Sequence, residues 1–266
     1  MKATMETTAS AAPASMIDRV VQILETFDAP VGLTLAQVVS RTGLPRSSTH
    51  RILEHLVKIR WLRREGNTYQ LGLGVLELGT LAVHQHHLRK TALPYLHELQ
   101  SLTGMVVHLA VLDGPEIVYL DKIGGRFGMS LPSRIGGRQP AHFTAVGKAL
   151  LADSRDEAVR ATLAAAPDAR TARSITTEQA LKRELGRISE RGVAFDREES
   201  AQGIGCVAAP IGPPGGPGQA AVSVCGPIGR IHFDQLVGPV RAAASQIWNT
   251  VAREQMRRPG RLSYAS

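Results

Sequence analysis

The 266-residue chain has only two cysteines, Cys206 and Cys225, and each sits in an apolar, strand-like run. Neither has a CxxC partner or a histidine at zinc-finger spacing. That argues against a disulfide framework and a structural zinc site, and leaves reduced, buried thiols as the default. No run approaches the roughly 18 to 20 apolar residues of a membrane span. The opening MKATMETTASAAPAS has one lysine but no apolar core, so residues 1–15 read as a disordered tail rather than a signal peptide. GGRFG (124–128) and GIG (203–205) lack the strand-to-helix spacing and acidic ribose partner of a dinucleotide site, and both read as turns. A cytoplasmic chain with no cofactor and no membrane partner is therefore expected.

Acidic charge is also short. With 31 Lys and Arg against 23 Asp and Glu, the net charge is +8, which favours a polyanionic partner, although a basic balance alone would also suit an acidic membrane surface. The length implies two domains at roughly 100 to 200 residues each.

The most informative stretch is Thr34 to Leu53, TLAQVVSRTGLPRSSTHRIL. Thr34 and Gln37 have capping-box spacing, and Leu35, Val38 and Val39 supply a buried face. Gly43 suits a left-handed helix end, and Pro45 the first turn of the next helix. In that second helix Thr49, Ile52, Leu53, Leu56 and Ile59 share one side, so Ser47, Arg51, Glu54 and Lys58 point the opposite way, flanked by Ser48 and His50. From Arg41 to Arg64 there are seven Lys or Arg and one acid, Glu54, the asymmetry that phosphate neutralisation rewards. A wing follows: Trp61 to Arg64 as one strand, Glu65, Gly66 and Asn67 as the turn, Thr68 to Leu71 as the return. Ile17, Val20, Val21, Leu24 and Phe27 repeat at helical spacing and predict the first helix. Residues 16–72 are therefore expected to be a winged helix-turn-helix. Arg46, Ser47, Ser48, Thr49, His50 and Arg51 are expected to read or position double-stranded operator DNA, with Arg63, Arg64 and Thr68 gripping its backbone.

Residues 73–87, LGVLELGTLAVHQHH, form an apolar linker helix that needs a partner, most simply the same helix of a second subunit. The competing reading packs it on its own second domain. His84, His86 and His87 have no third ligand or carboxylate at fixed spacing and read as a solvated helix end, so no metal is expected. Residues 88–253 then carry a helix to Thr103, a hairpin (Val106–Leu112, Ile117–Ile123), helices at 145–152 and 178–191, strands at 203–211 and 220–225 joined by GPPGGPGQ, and a helix from Phe233 to Arg253. This is an α+β, antiparallel-sheet sensor domain, with a basic tail at 254–266. Around Gly192 to Ile211, small residues with short polar tips at period two predict a cavity for a small polar ligand. A catalytic alternative, an enzyme fused to the DNA-binding module, would place Cys206 or Ser223 as nucleophile and His142 or His108 as base. Nothing in the spacing favours it, and no catalytic residue is assigned.

Three segments, TLAQVVSRTGLPRSSTHRILEHL, HFTAVGKALLA and GVAFDREESAQGIGCVAAPI, resemble the IclR family of bacterial transcription regulators over roughly Met16 to Arg253. The resemblance implies a GAF-like effector domain, homodimers often paired as tetramers, and an effector pocket. By that resemblance the pocket falls on Asp196, Cys206, Ser223 and Cys225, with Leu131, Ala145 and Val146 also lining it. Cys225 stands where the family pattern has a second serine. A thiol hydrogen-bonds weakly and packs like a small hydrophobe, so a more apolar effector such as an aromatic acid is expected. Gly212 and Pro213 also depart from the family's aromatic and Asp or Asn.

Overall fold

The computed structural model describes residues 15–29, 31–124, 128, 131–152, 154–165, 169–213 and 220–257. The tail ahead of Ser15, the centre of the 124–128 turn, the GPPGGPGQ loop beyond Pro213 and the basic tail beyond Arg257 lie outside the described residues. The chain divides into two compact units that meet between Gln85 and His86.

The first unit runs α1 (Met16–Glu25), β1 (Leu33–Thr34), α2 (Leu35–Thr42), α3 (Arg46–Lys58), β2 (Leu62–Glu65), β3 (Thr68–Leu71) and α4 (Leu73–Gln85). Ser15, expected in the tail, caps α1 in a capping box with Asp18. The Thr34 and Gln37 box starts α2 as expected, and Gly43 ends it at φ +68°, a conformation that a side chain would strain. Pro45 lies just ahead of α3, one position before its expected place. The antiparallel sheet has the order β1-β3-β2, with Leu62 opposite Leu71 and Glu65 opposite Thr68, so Gly66 and Asn67 alone make the wing turn. Ile23, Val38, Leu44, Ile52, Leu53, Leu56, Leu62 and Tyr69 form the core of this unit.

Two burial expectations need correction. Ile17 is 74% and Val21 47% exposed, because α1 turns Val20, Ile23 and Leu24 inward instead, joined by Phe27 just beyond its end. Ile59 is 41% exposed because it is the residue on which α3 ends. The linker helix stops at Gln85, two residues early, where His86 turns to extended backbone and caps the next helix with its ring Nδ1.

The second unit comprises α5 (His87–Thr103), β4 (Val106–Asp113), β5 (Glu116–Ile123), β6 (Arg138–Pro140), α6 (Ala145–Leu151), α7 (Asp156–Ala164), α8 (Glu178–Arg191), β7 (Ala194–Arg197), β8 (Ile204–Ile211), β9 (Ala220–Pro227) and α9 (Phe233–Arg257). Its six strands are antiparallel in the order β6-β5-β4-β9-β8-β7. Side chains alternate across the sheet. Val107, Leu109, Val207, Val222 and Val224 pack under α5 and α9. Ala110, Cys206, Ala208, Ala221 and Cys225 face the opposite layer with α6 and α8. The sequence did not predict β6, α7 or β7, and α9 continues four residues beyond Arg253.

Candidate functional site

Helix α3 presents Arg46, Ser47, His50 and Arg51 to solvent, with Ser48 half-buried beside them. No side chain caps its N-terminus, so the helix begins with its positive dipole end and first amides free for an anion. Thr49, grouped above with the reading residues, is fully buried. Its hydroxyl donates to the Pro45 carbonyl at 3.1 Å, so it is a packing residue and does not face a ligand.

Glu54 is the one acid on this face, and the wing holds it. It accepts from Arg64 Nη1 at 3.2 Å and from the Tyr69 hydroxyl at 2.9 Å. The acid is thereby neutralised and fixes the wing to α3, a role that sequence reading missed. Arg64 also donates to the Gly66 carbonyl and lies over the Tyr69 ring, while Arg63 pairs with Glu65 and Gln70. Thr68 donates to the Glu65 carbonyl. Exposed ion pairs of this kind are worth about 0–1 kcal/mol, so a phosphate can replace the acids as partner of either arginine.

In the second unit a cavity of about 40 Å³ opens on the α6 side of the sheet. It is lined by His108 of β4, Tyr119 of β5, the segment Leu131–Ser133, Gln139 of β6, Thr144 ahead of α6, Ser200 and Ala201, Ile204 and Cys206 of β8, and Cys225 of β9. Of the expected pocket residues, Leu131, Cys206 and Cys225 line it. Ala145 and Val146 are buried in α6, and Asp196 and Ser223 lie behind the lining.

Asp196 has a different use here. Its Oδ1 accepts the backbone N–H of Glu199 at 2.7 Å and of Ser200 at 3.3 Å, and its Oδ2 accepts the Ser200 hydroxyl. These bonds fold the 196–200 turn that delivers Ser200 to the cavity. Burial pushes the Asp196 carboxyl up to about 6; its hydrogen bonds from Ser200 and Glu199 oppose that rise. Beside it Lys148, fully buried in α6, pairs with Glu199. Helix α6 can sit this deep because Gly147 has no side chain: a Cβ there would lie 2.1 Å from the Ala141 carbonyl oxygen.

The floor of the cavity is a chain of polar groups. His108 Nε2 lies 2.9 Å from Ser133 Oγ, and His108 Nδ1 lies 3.5 Å from Cys225 Sγ. The Ser223 hydroxyl is 3.6 Å from the same sulfur. Its contact with Cys225 and its burial push the Cys206 thiol up. Cys225 is drawn well below the usual thiol range, first by the Cys206 contact and then by His108 and Ser223, against the opposing effect of burial. Lys122 donates to the Ser133 and Leu131 carbonyls and so holds the segment over the cavity. Its ammonium is therefore engaged, and among the described residues no lysine or arginine lines the cavity. Tyr119, Ser133 and Thr144 were not expected to line the cavity, and His108 was named only as a possible base; the sole signal was the period-two position of His108 and Tyr119 on the hairpin. Among the described residues no group of three or more His, Cys, Asp or Glu can hold a metal ion. Among them, too, no helix is long and apolar enough to cross a membrane.

The model of the IclR helix-turn-helix domain matches residues 16–66, and that of the bacterial transcriptional regulator IclR C-terminal region matches residues 80–249. The chain is 31% identical to the HTH-type transcriptional regulator KdgR of Escherichia coli over 239 residues, 88% of this chain and 91% of that protein. It is 31% identical to the Pca regulon regulatory protein of Pseudomonas putida, over 80% of this chain and 75% of that protein. Among solved structures, an IclR homolog from Microbacterium hydrocarbonoxydans complexed with 4-hydroxybenzoate superposes with a TM-score of 0.79 at 28% identity. That match covers 90% of this chain and all of the other.

Proposed function

The chain belongs to the IclR family of bacterial transcriptional regulators, and we propose that it reads an operator through α3 and its wing under the control of a small organic acid bound in the β4/β5/β8/β9 cavity. The observation that carries the DNA reading is the first half of α3. Its Arg46, Ser47, His50 and Arg51 are exposed, its start is uncapped and it carries no acid, and the one later carboxylate of the helix is already paired with the wing. Arg46 and Arg51 are the candidates for guanine O6 and N7, Ser47, Ser48 and His50 for phosphate or base edges, and Arg63, Arg64 and Thr68 for the backbone.

The effector reading rests on the cavity's lining. Hydroxyls, an imidazole and two thiols mixed with Leu131, Pro132 and Ile204 suit a small acid with an apolar body. Space for about three waters does not admit an aromatic ring as it stands, at roughly 10–15 Å³ per water. An aromatic acid of the 4-hydroxybenzoate kind enters only if the Leu131–Ser133 segment moves off the Lys122 ammonium. Asp196 and Ser223 act on the effector through the turn and sheet that hold the lining.

The chain acts by binding, without turnover, in the cytoplasm and as a homodimer or a pair of dimers. Support for self-association comes from α4, whose Leu73, Leu76, Leu78 and Leu81 are all more than half exposed and form an apolar surface that a second copy would cover. On this reading the tail, winged helix, linker, effector domain and basic tail keep the order expected from the sequence.

The test is full-chain binding to a duplex selected from a random pool, with and without a panel of two- to four-carbon and aromatic carboxylic acids. A coupling of about 1–3 kcal/mol changes operator affinity roughly 5- to 150-fold for at least one acid, and Cys225→Ser changes which acid is preferred. Operator affinity indifferent to every acid would overturn the effector half of the proposal.

A further inference from the structure

We propose that Cys225 and Cys206 are a peroxide-reactive dithiol on the floor of the cavity, with Cys225 as the attacking sulfur and Cys206 as the resolving one. The two residues are directly opposed in the β8/β9 ladder. Opposed residues of antiparallel strands have Cα atoms about 4.5–5.5 Å apart, inside the roughly 4.4–6.8 Å that a disulfide spans. Both line the cavity, whose volume of about 40 Å³ suits a molecule as small as hydrogen peroxide. They are also the sole cysteines of the chain.

The surroundings distinguish the two sulfurs. His108 Nδ1 and the Ser223 hydroxyl both lie within reach of Cys225 Sγ, at 3.5 Å and 3.6 Å. In the tautomer whose Nε2 accepts from the Ser133 hydroxyl, 2.9 Å away, Nδ1 carries the proton and donates to the sulfur. Donors aimed at a sulfur favour its thiolate, and the thiolate is the nucleophile. Cys206 keeps its proton and follows second.

In the first step the Cys225 thiolate attacks one peroxide oxygen. An S–O bond forms, the O–O bond breaks, and the leaving hydroxide takes a proton and departs as water, giving a sulfenic acid. In the second step the Cys206 sulfur attacks the Cys225 sulfur. The S–S bond forms as the S–O bond breaks, and the hydroxide leaves with the Cys206 proton as water. Two thiols are oxidised to one disulfide, and one peroxide is reduced to two waters.

The test uses the reduced full chain exposed to hydrogen peroxide, read by thiol titration, intact mass and a non-reducing gel. Expected is loss of both thiols, a mass lower by two hydrogens, migration as a single chain and reversal by dithiothreitol. Cys206→Ser should leave a dimedone-reactive sulfenic acid at Cys225, and Cys225→Ser should oxidise at least ~10-fold more slowly than the parent. Thiols that persist where free glutathione is oxidised, products made only of cross-linked chains, or a Cys225→Ser protein that oxidises at the parent's rate would each overturn the proposal. None of these readouts involves operator or effector, so the outcome is separate from the regulatory reading.

Discussion

Replacing Asp196 with asparagine should stabilise the protein at neutral pH and reveal a compensation hidden in the parent. The Asp196 carboxyl rises from 3.8 to about 6 on folding, mainly because it is buried. A folded pKa above the unfolded one contributes stability at low pH that is lost as pH rises through the folded value. At about 1.4 kcal/mol for each tenfold change in proton affinity, the loss comes to about 3 kcal/mol between about pH 4 and pH 6. Asparagine keeps an acceptor for the Glu199 and Ser200 amides and offers its NH2 to the Ser200 hydroxyl, so it replaces the carboxylate without its burial penalty.

His142 acts in the opposite direction over the same window. It is fully buried against Phe143, and neither ring nitrogen has a hydrogen-bond partner among the described residues. Burial, with Arg170 and Lys148 nearby, lowers it from 6.5 to about 4. The folded state therefore resists protonation, and stability falls by a similar ~3 kcal/mol as pH drops from about 6.5 to 4. The two groups nearly cancel in the parent. Urea denaturation read by Trp248 fluorescence in a Trp61→Phe background should give Asp196→Asn a stability that climbs with pH from about 4 to 6.5, and His142→Met one that declines. An Asp196→Asn protein less stable than the parent at about pH 8, or a difference from the parent that stays constant from about pH 4 to 7, would refute the reasoning.

Lys148→Met should cost about 3–5 kcal/mol by leaving Glu199 buried without its cation, and Lys148→Met with Glu199→Leu should regain most of it in the same unfolding assay. Thr49→Val should leave operator affinity within about 2-fold of the parent, since the hydroxyl faces the Pro45 carbonyl and its loss forfeits about one hydrogen bond of stability. Glu54→Ala should weaken operator binding although it removes an acid from a DNA-facing surface, because the Arg64 guanidinium and the Tyr69 hydroxyl lose the acceptor that holds the wing to α3; anisotropy titration distinguishes this from the gain that charge alone predicts. Leu76→Glu with Leu81→Glu should shift the sedimentation of the full chain toward the monomer.

The elements most legible in the sequence were those whose signals are local. Thr34, Gln37 and Gly43 announce α2 within ten residues, and the wing follows from alternation around Gly66. Helix α1 was legible as a helix but not in its inward face. Ile17 and Val21 lie at the same spacing as the buried residues, and only the position of α2 decides which stripe is covered. Strand β7 has only four residues, the last two already in the turn that Asp196 begins, and β6 is Arg-Gln-Pro, so neither has a β pattern to read. The cavity was legible only in part. Cys206 and Cys225 were legible as small residues with short polar tips at period two, and the family resemblance points to the same pair, whereas His108, Tyr119, Ser133 and Thr144 come from separate segments that meet only through the strand order. Asp196, expected to line the pocket, is buried behind the lining, a position that depends on the turn its own hydrogen bonds create.

The central claim is that the exposed half of α3 reads bases, and Arg51→Ala tests it most directly. Anisotropy titrations should compare parent and variant on a duplex selected by the parent and on a random duplex of equal length and salt. The account predicts a loss of about 1–3 kcal/mol, roughly 5- to 150-fold, on the selected duplex and little change on the random one. An equal loss on both would make Arg51 a phosphate contact, and no loss on either would contradict the assignment of α3 as the reading helix.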